Sequence, residues 1–267
     1  MRGADRLVFV LVEPQHPGNV GSAARAMKNM GLHRLVVVAP PALDLMRARW
    51  MAPGCDDVIA NMRIVATLDE ALEGVHEAIA TTARHRKGHQ PVLDPSGFAE
   101  AHWEQTEAGD DSVTAVLFGR EDFGLSREHS DRCRQLLRIP TPEHASLNLA
   151  QAVLLLAHRW FEEGRLRGHR DAPGRTLGGR RGTKPTRALQ DGEDPRDARA
   201  DLTRIEPAAQ ALVELLERVG YTRSTPAERV LHTARTSLQK AAPSIREVEA
   251  LRGMIAKVEW ALEHPEK

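Results

Sequence analysis

The amino-acid sequence predicts an α/β fold, a parallel sheet flanked by helices, followed by a small all-helical domain. Two observations carry the first part. Residues 7–12 and 35–39 are unbroken apolar runs of strand length, and between them residues 22–30 have a helical pattern that stops at Gly31. Strand, helix, strand, with continuous rather than alternating apolar strands, is the pattern of a βαβ unit in a sheet buried on both faces. The third observation is that the pattern after residue 203 is purely helical.

The remaining elements follow in order. Residues 48–61 and 68–72 predict helices, 78–82 a short strand, 113–118 another strand, and 147–164 a long helix. Residues 206–219 carry apolar side chains at helical spacing and end at Gly220. Thr225-Pro226-Ala227-Glu228 and Ser244-Ile245-Arg246-Glu247 both read as capping boxes, the first with proline at the first helical position, so two further helices are expected there. Leu212, Leu215, Leu216, Val230, Leu231, Leu238, Val248, Leu251, Ile255, Val258 and Leu262 are the expected core of this three-helix domain, and Arg218 and Arg235 are as easily solvated as RNA-facing. The domain boundaries drawn from these patterns are 1–164, 165–203 and 204–267.

With 267 residues, 41% of them hydrophobic, the chain buries a full α/β core and has residues left for a second domain. No apolar run approaches the ~20 residues of a membrane span, and no secretory signal opens the chain, so the cytoplasm is the expected compartment. Cys55 and Cys133 have no CxxC partner, so neither a disulfide framework nor a zinc site is encoded. Net charge is zero, from 37 basic and 37 acidic residues, but its distribution is uneven. Residues 1–161 hold 17 basic and 20 acidic side chains, whereas 165–187 hold eight basic residues against Asp171 alone. Residues 162–200 are rich in Gly, Arg, Asp and Pro and cannot form a core; they read as a solvated tether that doubles as a phosphate-contacting arm.

Three short blocks carry the chemistry. The first, Pro17-Gly18-Asn19-Val20-Gly21-Ser22 with Arg25 a turn further on, follows a strand and opens a helix. Such a turn offers unpaired N–H groups to an anion, and Gly18 and Gly21 allow close backbone approach. It lacks the GxGxxG spacing and downstream acid of a dinucleotide site. The second, Leu117-Phe118-Gly119-Arg120-Glu121 continuing through Gly124 and Leu125, lies at the carboxyl end of a strand, where ligands collect in open α/β sheets. The third runs from Ile139-Pro140 to Ser146-Leu147-Asn148-Leu149-Ala150 at the start of the long helix, with Ser146 as its candidate N-cap. Taken singly, each block is explained by turns, caps and core packing.

In combination they resemble motifs one, two and three of the SpoU-type RNA 2′-O-methyltransferases of the SPOUT superfamily, over residues 5–161. Thr81-Thr82-Ala83-Arg84 and the appended helical domain are similar to one subfamily, the TrmJ-type tRNA methyltransferases. The resemblance implies a C-terminal trefoil knot in the sheet domain, S-adenosylmethionine as cofactor, and a homodimer whose protomers build the sites together. It maps Thr81, Thr82, Ala83, Arg84, Leu117, Gly119, Arg120, Glu121, Ile139, Pro140, Ser146 and Leu147 to cofactor binding. Asn19, Arg25, Glu121, Ser146 and Asn148 map to the catalytic pocket.

A guanidinium stays protonated in nearly all proteins, so the role expected of Arg25 is to grip phosphate and orient the ribose hydroxyl rather than to act as base. Glu121 is expected to hold Arg25 or Arg120 in place. Arg25, Arg84, Arg86, Lys87, Arg180, Arg181 and Lys184 are the expected RNA contacts. His85 and His89 lie in that same basic loop without a third ligand, which favours RNA over a metal. The subfamily resemblance implies tRNA as partner, with the ribose of cytidine or uridine at position 32 of the anticodon loop as target. Ribosomal RNA is the alternative substrate, less favoured because the catalytic domain starts almost at Met1. A non-catalytic RNA-binding protein would be expected to lack Asn19, Arg25 or Asn148, and all three are present.

Overall fold

The computed structural model describes residues 3–41, 43–83, 91–142, 146–169, 194–223 and 225–264. The chain divides into two compact units: Met1–Ala71 with Ala78–Pro185, and Leu72–Glu77 with Thr186–Lys267.

The first unit is built on β1 (Leu7–Val12), α1 (Pro17–Asn29) and β2 (Leu35–Val38), the expected βαβ unit. All six residues of β1 and all four of β2 are buried, which is why neither alternates apolar and polar positions. Helix α1 starts five residues earlier than its apolar periodicity suggests, because Pro17 fits the first helical turn. The single helix expected over 48–61 is two helices, α2 (Leu45–Trp50) and α3 (Asp56–Asn61). The break falls at Pro53-Gly54, where Gly54 takes a φ of +73° that a helix cannot accommodate.

There follow β3 (Arg63–Val65), α4 (Leu68–Ala71), β4 (Glu77–Thr81), β5 (Val92–Leu93), α5 (Pro95–Glu107), β6 (Thr114–Phe118), α6 (Arg127–Asp131), β7 (Gln135–Leu137) and α7 (Leu149–Leu166). Of these, β3, β5, α5, α6 and β7 were not expected from periodicity. Helix α5 is nonetheless marked locally: the Asp94 side chain accepts from the Gly97 N–H and Pro95 occupies the first turn.

The seven strands form one sheet in the order β3-β2-β1-β6-β4-β7-β5, with the β1–β2, β1–β6, β2–β3, β4–β7 and β5–β7 pairs parallel. Parallel pairing collects the strands' carboxyl ends along one edge. The Thr81 hydroxyl at the end of β4 donates to the Leu117 carbonyl of β6 at 2.8 Å, and the Thr82 N–H donates to the Leu137 carbonyl of β7 at 2.9 Å. Phe9 and Phe118 pack with ring centroids 5.3 Å apart, and Leu11, Met27, Val153, Leu156 and Trp160 close the core around them. Each such side chain contributes about 1.5–3 kcal/mol on burial.

The second unit contains α8 (Leu202–Arg218), α9 (Ala227–Ala241) and α10 (Ile245–Glu263). Residues ahead of α8 belong to the same unit: the Ala200 N–H donates to Pro243, the Ile245 N–H to Ala198, and the Leu202 N–H to Val75. Of the two expected capping boxes, Ser244/Glu247 forms with both of its hydrogen bonds. The other does not: α9 has Pro226 as its N-cap and no side-chain cap bond. Val230, Val248 and Ile255 are buried as expected, whereas Val258 and Leu262 lie exposed on α10. Arg235, read as a surface residue, is buried with its guanidinium forked on Glu206 at 2.6 Å through both Nε and Nη2. No helix among the described residues is long and apolar enough to cross a membrane.

Candidate active site

The three sequence blocks meet at the carboxyl edge of the sheet. The loop after β6 carries Glu121 back toward the start of α1. There its Oε1 accepts from Asn19 Nδ2 at 2.8 Å and from the His16 N–H at 3.2 Å, and its Oε2 accepts from the Gln15 N–H at 2.8 Å. Helix α1 has no side-chain cap of its own and no acidic residue in its first turn. Glu121, from a different loop, supplies the negative charge that this end of the helix favours. The carboxylate takes the N–H groups just ahead of the expected anion-binding turn, while the Asn19 and Val20 N–H groups within it close on the His16 carbonyl.

The network continues into the third block. Asn148 Nδ2 donates to Asn19 Oδ1 at 3.1 Å, while Asn148 Oδ1 accepts from the N–H groups of Ala150 and Gln151 at 2.9 and 3.4 Å. Asn148, and not Ser146, is thus the N-cap of α7, which starts at Leu149. Ser146 is exposed two residues upstream and Leu147 is half-buried. Burial pushes the Glu121 carboxyl upward, but the hydrogen bonds from Asn19, Gln15 and His16 outweigh it and hold the group below the usual glutamate range. Glu121 is the ionised anchor of a chain that orients both amides.

The partners expected for Glu121 are different from those found. Arg120 gives its Nε and Nη2 to the two oxygens of Asp122, at 3.0 and 2.8 Å, and lies 3.6 Å from Glu13. Arg25 stands exposed on α1, with no ion pair or hydrogen bond to the described residues. Asp122 sits two residues from Arg120, within easy reach of its fork, whereas Glu121 points the opposite way to α1. The roles of Gln15 and His16 were not legible, because they contribute only peptide N–H groups, which every residue but proline has.

Two glycines are required by packing. A Cβ on Gly119 would come 2.1 Å from the backbone of Gly124 and Leu125, so the tight turn formed by the Arg120–Gly124 bridge admits no side chain there. A Cβ on Gly21 would come 1.9 Å from the Ala48 carbonyl. Gly21 therefore serves the crossing of α1 on α2, not approach to a ligand, and Gly18 has only an ordinary contact with Met51.

The residues expected from the resemblance to bind the cofactor fall along the same edge. Thr81, Thr82 and Ala83 end β4; Leu117, Gly119, Arg120 and Glu121 end β6; Ile139 and Pro140 follow β7; Ser146 and Leu147 precede α7. Leu117 is fully buried, so it offers the site only its backbone. Ile139 is half-buried against the core. Arg84, Arg86, Lys87, Arg180, Arg181 and Lys184, together with His85 and His89, lie outside the described residues. Among the described residues no group of three or more His, Cys, Asp or Glu side chains is placed to hold a metal ion.

Residues 6–158, which contain all three blocks, match the SpoU rRNA Methylase family. The chain belongs to the SpoU methylase family. Among curated SpoU relatives, the tRNA (cytidine/uridine/adenosine-2′-O-)-methyltransferase TrmJ of Pseudomonas aeruginosa is 45% identical over 155 residues, covering 58% of this chain and 60% of that protein. The tRNA (cytidine/uridine-2′-O-)-methyltransferase TrmJ of Pectobacterium atrosepticum is 34% identical over 261 residues, 96% of this chain and 97% of the relative. The crystal structure of TrmJ from Z. mobilis ZM4 is similar with a TM-score of 0.71 and 30% identity, over 94% of this chain and 98% of that one.

Proposed function

We propose that this SpoU-family chain is an S-adenosylmethionine-dependent tRNA 2′-O-ribose methyltransferase, acting on cytidine or uridine at position 32 of the anticodon loop. The observation that carries this reading is the hydrogen-bonded chain Glu121–Asn19–Asn148, which ties the three blocks into one polar site at the sheet's carboxyl edge. The substrate class is supported by similarity to TrmJ tRNA methyltransferases over nearly the whole chain.

The donor set suits an adenosyl ligand. Thr82–Ala83, Gly119–Arg120 and Ile139–Pro140 offer peptide edges from neighbouring strand ends, with Ile139 as an apolar wall. S-adenosylmethionine, when bound, supplies a methyl group on a positively charged sulfur. The chain's own residues do the rest. Arg25, exposed and uncommitted to a carboxylate among the described residues, grips an RNA phosphate and orients the 2′-hydroxyl. Glu121 fixes the Asn19 amide, and Asn148 holds it from the other side, so the pocket is set before RNA arrives. Ser146 is exposed two residues before Asn148. The described basic side chain Arg25 and the basic runs 84–87 and 180–184 are the RNA contacts in this reading. A trefoil knot and a homodimer belong to it too; a sheet order that seats β4 between the later strands β6 and β7 supports the threading.

Methyl transfer from labelled S-adenosylmethionine to unmodified bulk tRNA tests the proposal. Ribose label at nucleotide 32 is expected for the native chain, falling at least about 100-fold in Arg25→Ala. Label on ribosomal RNA alone moves the substrate; label on neither overturns the reading.

A further inference from the structure

Beside the Glu121 network lies a cleft of about 430 Å³, bounded by Val12, Glu13, Arg120, Phe123, Ser126 and His129. That volume falls within the ~300–1,000 Å³ of small-molecule sites. One wall is aromatic: Phe123 is 69% exposed and two residues from Glu121. The ring lies on the loop that carries Glu121, so its free face is within reach of an unpaired base of an RNA held at the site.

The ring is held, not loose. The Gly124 N–H closes the turn on the Arg120 carbonyl at 2.8 Å, Gly124 takes a φ of +71°, and Gly119 cannot carry a Cβ. The Arg120 guanidinium carbon lies 5.5 Å from the Phe123 ring centroid, while its edge is forked on Asp122. With Asp122 and Glu13 both beside it, Arg120 has little charge to offer a phosphate. What remains is the ring face among paired charges, Arg120 with Asp122 and Glu13 and Arg127 with Asp131 at 3.5 Å, and that is the chemistry of base stacking rather than of backbone binding. The lining intersperses Glu13, Ser126, Arg127 and His129 with Val12 and Leu125, unlike the contiguous apolar area that marks a protein-docking patch.

We propose that Phe123, backed by Arg120, is a stacking platform for an unpaired nucleobase of the substrate RNA loop, next to the ribose served by Asn19, Glu121 and Asn148. The inference rests on the methyltransferase reading. It makes Phe123 a determinant of RNA affinity that has no part in cofactor binding.

The test compares the native full-length chain with Phe123→Ala and Phe123→Trp. In steady-state methyl transfer, Phe123→Ala is expected to raise the KM for tRNA about tenfold. The KM for S-adenosylmethionine and the kcat at saturating tRNA stay unchanged, and Phe123→Trp restores the native KM. Fluorescence anisotropy of a labelled anticodon stem-loop reads the same shift in Kd without turnover. An unchanged KM and Kd in Phe123→Ala overturns the proposal and leaves the methyltransferase reading intact. An altered sedimentation mass accompanying the loss would make Phe123 a contact between copies of the chain, and equally overturns it. If the native chain methylates no RNA, the functional reading fails, and the anisotropy comparison still decides whether Phe123 binds a base.

Discussion

The two ends of α7 are built on opposite principles. At its first turn, Asn148 caps the helix and joins a half-exposed chain of neutral donors leading to one carboxylate. Near its last turns, Trp160 is buried against Trp103 with ring centroids 4.9 Å apart. There Trp160 donates from Nε1 to His102 Nδ1 at 3.1 Å, and its carbonyl accepts from Trp103 Nε1 at 2.8 Å. A Cβ on Gly164 would strike Trp103 at 2.4 Å. The aromatic end is buried, and the indole N–H groups of Trp103 and Trp160 are both bonded within it. The polar end keeps groups facing solvent and spends its hydrogen bonds on orientation. Aromatic packing is concentrated at one end of the helix and the proposed site lies at the other.

The sharpest way to break that contrast is at the aromatic end. Trp103→Ala removes a buried ring and leaves Trp160 without its stacking partner, and is expected to cost about 3–5 kcal/mol, read by urea unfolding followed through far-ultraviolet circular dichroism. Methyl transfer per folded molecule should hardly move. A large loss of specific activity with native stability would show that the two ends are not separable.

A pH series comes next in size. Burial pulls His102 down from its ordinary 6.5 to about 4, and Nδ1 must stay unprotonated to accept from Trp160. A depressed folded value means that the neutral imidazole's contribution is complete above 6.5 and is lost as pH falls from 6.5 to about 4. That span corresponds to roughly 3 kcal/mol, which His102→Gln should abolish from the unfolding free energy against pH. Glu121 has the same sign but a lower window. Its contribution is present above the ordinary glutamate value and disappears only below it, so the polar end should outlast the aromatic end on acidification.

The smallest effect separates the two duties of Asn148. Asn148→Ala removes cap and tether together and is expected to lower stability by about 1 kcal/mol. Asn148→Asp keeps a capping oxygen but loses the donor to Asn19, so thermal unfolding should match the native chain while methyl transfer falls about fivefold. Equal losses of both quantities in the two variants would merge the roles.

Much of this was legible from residue types. The apolar runs of β1 and β2 and the helical spacing of α7 announce themselves because burial on both faces, or on one stripe, leaves a period in the sequence. Strands β5 and β7, with two and three residues, are too short to show any period, and their places depend on pairing with residues far along the chain. In the site, Asn19, Glu121 and Asn148 were each identifiable, but not the bonds between them. The competing partner for Arg120 sits two residues away in Asp122, and side-chain type alone does not say which of two adjacent acids points to which helix. The N–H groups of Gln15 and His16 leave no mark in sequence at all.

The shared amide of Asn148 also links two timescales. Helix ends fray and re-form far faster than the interval between productive encounters with a large substrate. Each time the first turn of α7 lets go, Asn148 loses its capped position, Asn19 loses its brace, and Glu121 keeps only what α1 gives it. The fraction of time for which the pocket is assembled is then the fraction for which one helical turn stays wound, so the lifetime of that turn acts as a clock on the whole site.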